Sequence, residues 1–225
     1  MSYRTVTRDG TDAPPPSDAR RRLMVAFAQV MGANGYASTT IADIVAAARV
    51  SKRTFYEHFS DKEECLLAVY AEACDQLIEV LRAAGTAPGL PWRERVRTTA
   101  YAYLAAIDAM PTVSRALLVE VQAAGARAFA LRRRMQERFA DVLRDLVEQG
   151  RAREPEVRPL SRELALALVG GINELLLHAV DPYEVDEVDA VDAVDGERVV
   201  GGPATGLTEA VTELVSAVLA YQADA

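Results

Sequence analysis

Residues 35–66 read GYASTTIADIVAAARVSKRTFYEHFSDKEECL. Ser38-Thr39-Thr40 opens a short helix whose Ile41, Ile44, Val45 and Ala48 recur at i, i+3, i+4, i+7, the spacing of one helical face. Arg49-Val50-Ser51 breaks it, and Ser51 can cap a third helix that ends near Phe59. Ser60-Asp61-Lys62-Glu63 reads as a capping box, with Ser60 at the cap and Glu63 at the third helical position, opening a long helix over about 61–84. Upstream, Ser17 or Asp18 caps a first helix over roughly 18–34. Its apolar stripe is Leu23, Phe27, Val30 and Met31, and Asn34-Gly35 ends it. Phe27, Ile41, Ile44, Val45, Phe55 and Phe59 supply a shared core. Phe55 and Phe59 lie four apart and face inward, so Lys52, Arg53, Thr54, Tyr56, Glu57 and His58 turn outward. A short helix with that outward set fits a probe of the DNA major groove.

The charge distribution agrees with this reading although the total does not. The net charge of the 225 residues is −8. Residues 1–62 hold nine Lys+Arg against six Asp+Glu, a net of +3, which leaves −11 for the remainder. A small basic head on a larger acidic body is the pattern of a DNA-binding unit joined to a regulatory one. Lys52 and Lys62 are the two lysines, and both fall in or beside the helix-turn-helix. The start of the chain is polar and Pro-rich, so no signal peptide is expected. No apolar run is read as long enough to span a bilayer, and a cytoplasmic location with no membrane partner follows. Cys65 and Cys74, nine residues apart on one helix, fall on opposite faces and cannot bridge each other. No His/Cys cluster has metal spacing, so neither metal nor cofactor is expected.

The remaining chain also reads as helical. The arm 1–16, ending in Pro14-Pro15-Pro16, is expected to be disordered. A helix starts at Pro91 and stops before Pro111. Shorter and longer helices follow over 112–123 and 126–149, the latter ended by Gly150, and an almost entirely apolar helix spans 160–179. The segment 181–206 carries eight acids against one Arg and is read as a flexible acidic loop without a calcium-loop pattern. A last helix spans 207–221. No alternating apolar pattern demands a strand, so the fold class is all-α, with about nine helices. The domains are a helix-turn-helix unit over 17–62 and a larger helical unit over 63–225.

The 35–66 stretch resembles the TetR (tetracycline-repressor-like) family. The features that carry the resemblance are Gly35-Tyr36, Thr40, Ile41-Ala42-Asp43-Ile44, Val50-Ser51-Lys52, Phe55-Tyr56, His58-Phe59 and Lys62-Glu63. It covers about 50 residues; residues 85–225 match only in helix number and length. The resemblance implies an Ω-like dimer on a palindromic double-stranded operator, acting as a regulator, most simply a repressor released by a small hydrophobic effector held in the larger domain. It implies DNA contacts by Thr39, Thr40, Ser51, Lys52, Thr54, Tyr56, His58 and Lys62, with Lys62 on phosphate. Arg53 stands where the family often has a small residue, and can read guanine or hold phosphate. Arg49 stands where the family often has Gly; if φ is positive there, it costs about 1–2 kcal/mol.

In the larger unit, a helix apolar on nearly all faces must cover more than its own core. Helices 160–179 and 207–221 are therefore expected to form a four-helix homodimer interface through Leu164, Leu168, Gly171, Leu175, Val211, Leu214, Val215 and Val218. Trp92, Tyr101, Tyr103, Met110, Phe129, Met135 and Phe139 are the candidate walls of the effector pocket. Two other classes compete: an all-α enzyme and an interaction scaffold that keeps the head without regulating. No nucleophile–base set, metal motif or phosphate loop supports an enzyme. Activity surviving removal of residues 1–62 would mark the enzyme, and failure to select any genomic DNA would mark the scaffold.

Overall fold

Local capping chemistry dictates where the amino-terminal helices begin and end. The computed structural model describes residues 18–115, 118, 119, 121, 124–180 and 202–220. The expected arm 1–16, most of the acidic segment 181–206 and part of 112–123 lie outside the described residues. The described residues are helical, without strands. They divide into two units, Met1–Val69 and Tyr70–Ala225.

In the first unit, α1 (Asp18–Ser38) runs four residues further than its sequence suggests. The expected stop is still there as a break, because Gly35 sits at φ 76°, ψ 160° inside the span. For α2 (Ile41–Ala48), the Thr40 side chain accepts from the Asp43 amide while the Asp43 carboxylate accepts from the Thr40 N–H, a complete capping box. α2 ends in a Schellman turn: Arg49 N–H donates to Ala46 O at 3.2 Å and Val50 N–H to Val45 O at 3.0 Å. Ser51 caps α3 (Lys52–His58) by accepting from the Thr54 N–H at 3.0 Å. The capping box expected at Ser60 and Glu63 is displaced by one residue. Glu64 N–H donates to Asp61 Oδ1, and the Glu64 carboxylate accepts from the Ser60 N–H and hydroxyl. Asp61 therefore caps α4 (Lys62–Gly85). Leu23, Phe27, Met31, Ile44, Phe55, Phe59 and Leu66 are essentially inaccessible and form the interior of this unit; Ile41 is only half-buried.

The second unit is built on α5 (Trp92–Asp108), α6 (Pro111–Arg115), α7 (Ala126–Arg151), α8 (Arg162–Val180), a 3-10 turn (Thr205–Leu207) and α9 (Thr208–Ala220). α5 packs along α9 and α7 along α8. Two apolar clusters hold these pairs, one centred on Ala140, Leu160, Ala165, Leu168 and Leu219, the other on Leu104, Ile107, Leu176 and Val211. Gly150 does not end α7, as expected from sequence, but lies within it. A Cβ there would stand 3.2 Å from the Arg95 guanidinium, so the glycine makes room for that side chain. Arg95 reaches Glu154 at 2.8 Å and donates to Leu90 O at 2.9 Å. At the far end of α5, Asp108 accepts from the backbone N–H of Ala204 and Thr205 at 3.0 and 2.8 Å. Residues 202–206, expected to belong to the flexible loop, are thus part of an ordered clasp ahead of α9.

α8 corrects the reading that no run is long enough to span a bilayer: with 19 residues and a mean hydropathy of 1.5, it passes by length and composition. Its Ala165, Leu168, Val169 and Leu176 are buried in the unit's own core.

Candidate nucleic-acid interface and interior cavity

The outward face of α3 is fixed by what lies beneath it. Phe55 is fully buried and Phe59 nearly so, their rings 5.7 Å apart. Tyr56, one residue on, meets Phe55 edge-on at 5.6 Å yet is 57% exposed. The rest of that ring faces solvent, beside exposed Lys52, Arg53 and Ser51. Arg53 and Glu57 pair at 3.1 Å across one turn, both in solvent, a contact worth about 0.3–0.5 kcal/mol and easily exchanged for another partner. Thr54 and His58 are half-buried, and the Thr54 hydroxyl lies 3.0 Å from that of Ser51.

Three of the nine expected DNA contacts are engaged elsewhere. Thr39 is 1% exposed and its hydroxyl donates to Gly35 O at 2.8 Å, so it is a piece of the α1 terminus. Thr40 is exposed but its hydroxyl serves the capping box. The Lys62 ammonium, expected on phosphate, donates to Tyr36 O at 2.7 Å and Thr39 O at 2.9 Å and sits 4.3 Å over the Tyr36 ring. Carbonyls at the end of a helix carry partial negative charge, which makes that end a natural seat for a cation. Sequence gave no sign that Lys62 would fold back some 25 residues. The other six expected contacts, Ser51, Lys52, Arg53, Thr54, Tyr56 and His58, lie on α3 or at its cap, where the Ser51 hydroxyl serves the cap as that of Thr40 does.

The second unit contains a cavity of about 130 Å³, near the ~150 Å³ of an apolar void that takes up benzene. Trp92, Tyr103 and Phe139 line it as expected, with Tyr103 and Phe139 edge-to-face at 6.1 Å. Four expected residues do not. Tyr101 and Phe129 are 53% and 58% exposed. Tyr101 is two residues from Tyr103, which is about 200° around a helix. Met110 lies beyond the end of α5, half-buried, and Met135 is buried outside the cavity with its sulfur accepting from Arg138. Sequence reasoning missed Arg95, Thr99, Asn173 and the aliphatic walls. A stripe could have found part of it: Trp92, Val96, Thr99 and Tyr103 recur at i, i+4, i+7, i+11, as do Phe139, Leu143, Leu146 and Gly150. Burial lifts the Tyr103 hydroxyl well above the ordinary range and the Cys65 and Cys74 thiols to about 12, so all three are protonated at neutral pH. No group of residues suited to hold a metal occurs among the described residues.

The expected interface residues are also partly consumed. Leu168 and Val211 are 3% and 4% exposed and belong to the chain's own core. Leu175, Leu214, Val215 and Val218 pack against the same two clusters, and Gly171 faces Leu214. A helix with apolar residues all round must fill its own domain first, and these positions do that. Leu164 remains 37% exposed.

Comparison with known proteins places these two units. Residues 23–69 match the family model described as bacterial regulatory proteins, tetR family. Among curated relatives, an uncharacterized HTH-type transcriptional regulator, YxbF of Bacillus subtilis, is 32% identical over 95 residues, 42% of this chain and 25% of that protein. The HTH-type transcriptional activator FasR of Mycolicibacterium smegmatis is 39% identical over 70 residues, 31% of this chain and 32% of its own length. The matches thus span a quarter to a third of those relatives. Among solved structures, the fatty acid degradation regulator FadR from Bacillus halodurans has a TM-score of 0.72 at 16% identity, covering 93% of this chain and all of that one. FadR from Bacillus subtilis, solved in complex with stearoyl-CoA, has a TM-score of 0.68 at 16% identity, covering 90% and 99%. A tetR-family regulatory protein from Rhodococcus RHA1 has 0.64 at 21%, covering 89% and 98%. Residues 23–69, the helix-turn-helix derived above, thus match the tetR family of bacterial regulatory proteins, and the chain as a whole shares the all-α fold of these solved structures.

Proposed function

We propose that the chain is a DNA-binding transcriptional repressor that grips a palindromic operator as a homodimer and releases it when a small apolar effector enters the cavity. The observation that carries this is α3: Tyr56 is solvent-exposed on a helix whose Phe55 and Phe59 are locked beneath it, with Lys52 and Arg53 beside it. Exposed aromatic and basic side chains on a short rigid helix suit phosphate and base-edge contacts. The cavity, walled by aromatic and aliphatic side chains, supports an apolar effector. The stearoyl-CoA of the Bacillus subtilis FadR, a structure of the same fold, is a ligand with a long apolar portion. Effector binding would bias a two-state equilibrium of the second unit that is read out at α3 through α4. Dimerisation would use the solvent side of α8 and α9, around Leu164, Ala167, Gly170 and Ala217, all exposed. Only 22% of the apolar window of α8 is buried within the chain. The protein would work in the cytoplasm, where its operator lies.

The test is genome-wide selection of bound fragments followed by gel shift on the recovered site. Tyr56→Ala is expected to abolish the specific shift while changing stability by less than about 0.5 kcal/mol. Binding that is independent of sequence and salt would refute the reading. A second reading, an activator, is favoured by the 39% identity to the activator FasR over 70 residues; a reporter driven from the recovered site separates the two by sign.

A further inference from the structure

The polar groups on the cavity wall divide into those already committed and those free. Arg95 is the lining cation, and its guanidinium is held by Glu154 at 2.8 Å and Leu90 O at 2.9 Å, with Arg95 only 9% exposed. The Thr99 hydroxyl donates to Arg95 O at 2.7 Å. Trp92, Tyr103 and Asn173 make no side-chain hydrogen bond among the described residues, and all three line the cavity. An indole N–H, a phenol and a primary amide are therefore available, all neutral, and two of the three are chiefly donors. Most of the remaining wall is aliphatic or aromatic.

We infer that this cavity selects an uncharged apolar molecule bearing a hydrogen-bond acceptor, such as an amide, ester or ketone carbonyl, and rejects the corresponding carboxylate. The inference rests on the reading of the cavity as the effector site and narrows its chemistry. A carbonyl oxygen gains the partners that the wall leaves unused and loses little solvation. A carboxylate must be buried as a charge, and the one cation within reach is neutralised by Glu154 and caged by Gly150, where even a Cβ would stand 3.2 Å from the guanidinium. Rupturing the Arg95–Glu154 pair to bind the ligand would leave Glu154 unpaired at a largely buried position.

The test compares three probes of one shape, toluene, benzamide and benzoate, on the full-length protein at neutral pH, with binding read by calorimetry and ligand-observed NMR. Benzamide is expected to bind at least about tenfold tighter than benzoate, with toluene between them. Asn173→Leu, which keeps the branched shape and the number of heavy atoms, is expected to cost benzamide about tenfold and leave toluene within about twofold, so that toluene binding reports an intact cavity. Glu154→Gln releases Arg95 and is expected to improve benzoate about tenfold. Benzoate binding to the unaltered protein as tightly as benzamide overturns the inference while leaving the effector reading in place. Failure of all three probes to bind removes the effector reading and this inference with it.

Discussion

Arg49 occupies the left-handed corner of the helix-turn-helix, at φ 54°, ψ 48°, and among the described residues no other non-glycine has positive φ. In that conformation an L side chain is destabilised by about 1–2 kcal/mol against its own carbonyl. Arg49→Gly removes this cost, and gives back about 0.4–1 kcal/mol because glycine loses more freedom on folding. The difference centres near 0.8 kcal/mol in favour of glycine. The charge must be separated out, since a cation near the carboxyl end of α2 contributes about 0.3–1 kcal/mol of its own. Arg49→Ala supplies that control: it loses the same charge and keeps the strain. Glycine should therefore exceed alanine by about 0.8 kcal/mol, a shift of roughly 2–3 °C in Tm for a chain of this size. The lone tryptophan, Trp92, lies in the other unit, so its fluorescence is the wrong reporter. Circular dichroism and hydrogen exchange at the Val50 amide, bonded to Val45 O at 3.0 Å, are the right ones, and exchange there should slow about fourfold in the glycine variant relative to alanine. Equal stability of the two variants would refute the argument, because the backbone conformation would then cost nothing.

Three further outcomes follow from the same geometry. Lys62→Met should lower the stability of the first unit while leaving the salt dependence of DNA binding unchanged, whereas Lys52→Ala should reduce the slope of log K against log salt by about one. A slope lost at Lys62 would return that lysine to phosphate. The Asp43 carboxylate is held below its ordinary value by the Thr40 hydroxyl and then the Thr40 N–H, so its stabilisation is complete above the unfolded-state pKa and disappears as pH falls through the folded one. Asp43→Asn should accordingly flatten the acid limb of a stability curve below about pH 4, which urea melts across pH would check. Asp108→Ala strands two backbone donors at the start of α9 and should cost about 2–4 kcal/mol by chemical denaturation, against less for Asp108→Asn, which keeps one acceptor.

The helix-turn-helix was legible because its determinants are local. Thr40, Ser51 and the Phe55/Phe59 pair act on residues within four positions, and a pattern reader works at that range. What escaped was long-range or rotational. Lys62 finds Tyr36 and Arg95 finds Glu154 only after folding, and neither spacing has a sequence period. Tyr101 and Tyr103 look equivalent as composition, but helix rotation sends one into solvent. Arg49 is the instructive middle case, since a cost anticipated from a missing glycine is borne out by its φ. Of the expected interface residues, Leu168 and Val211 are covered by their own chain: an apolar position states that it will be covered, not by whose chain.

The Asp108 clasp also bears on how this protein can be handled at the bench. It grips the backbone of Ala204 and Thr205 directly, so the register of α9 is set from α5 rather than from the sequence between Val180 and Gly202. Closing a longer connection there costs only about 0.6 kcal/mol for each doubling of its length. A tag inserted between Val180 and Gly202 is therefore expected to leave the register of α9 in place, which an unchanged urea melt of the tagged chain would report.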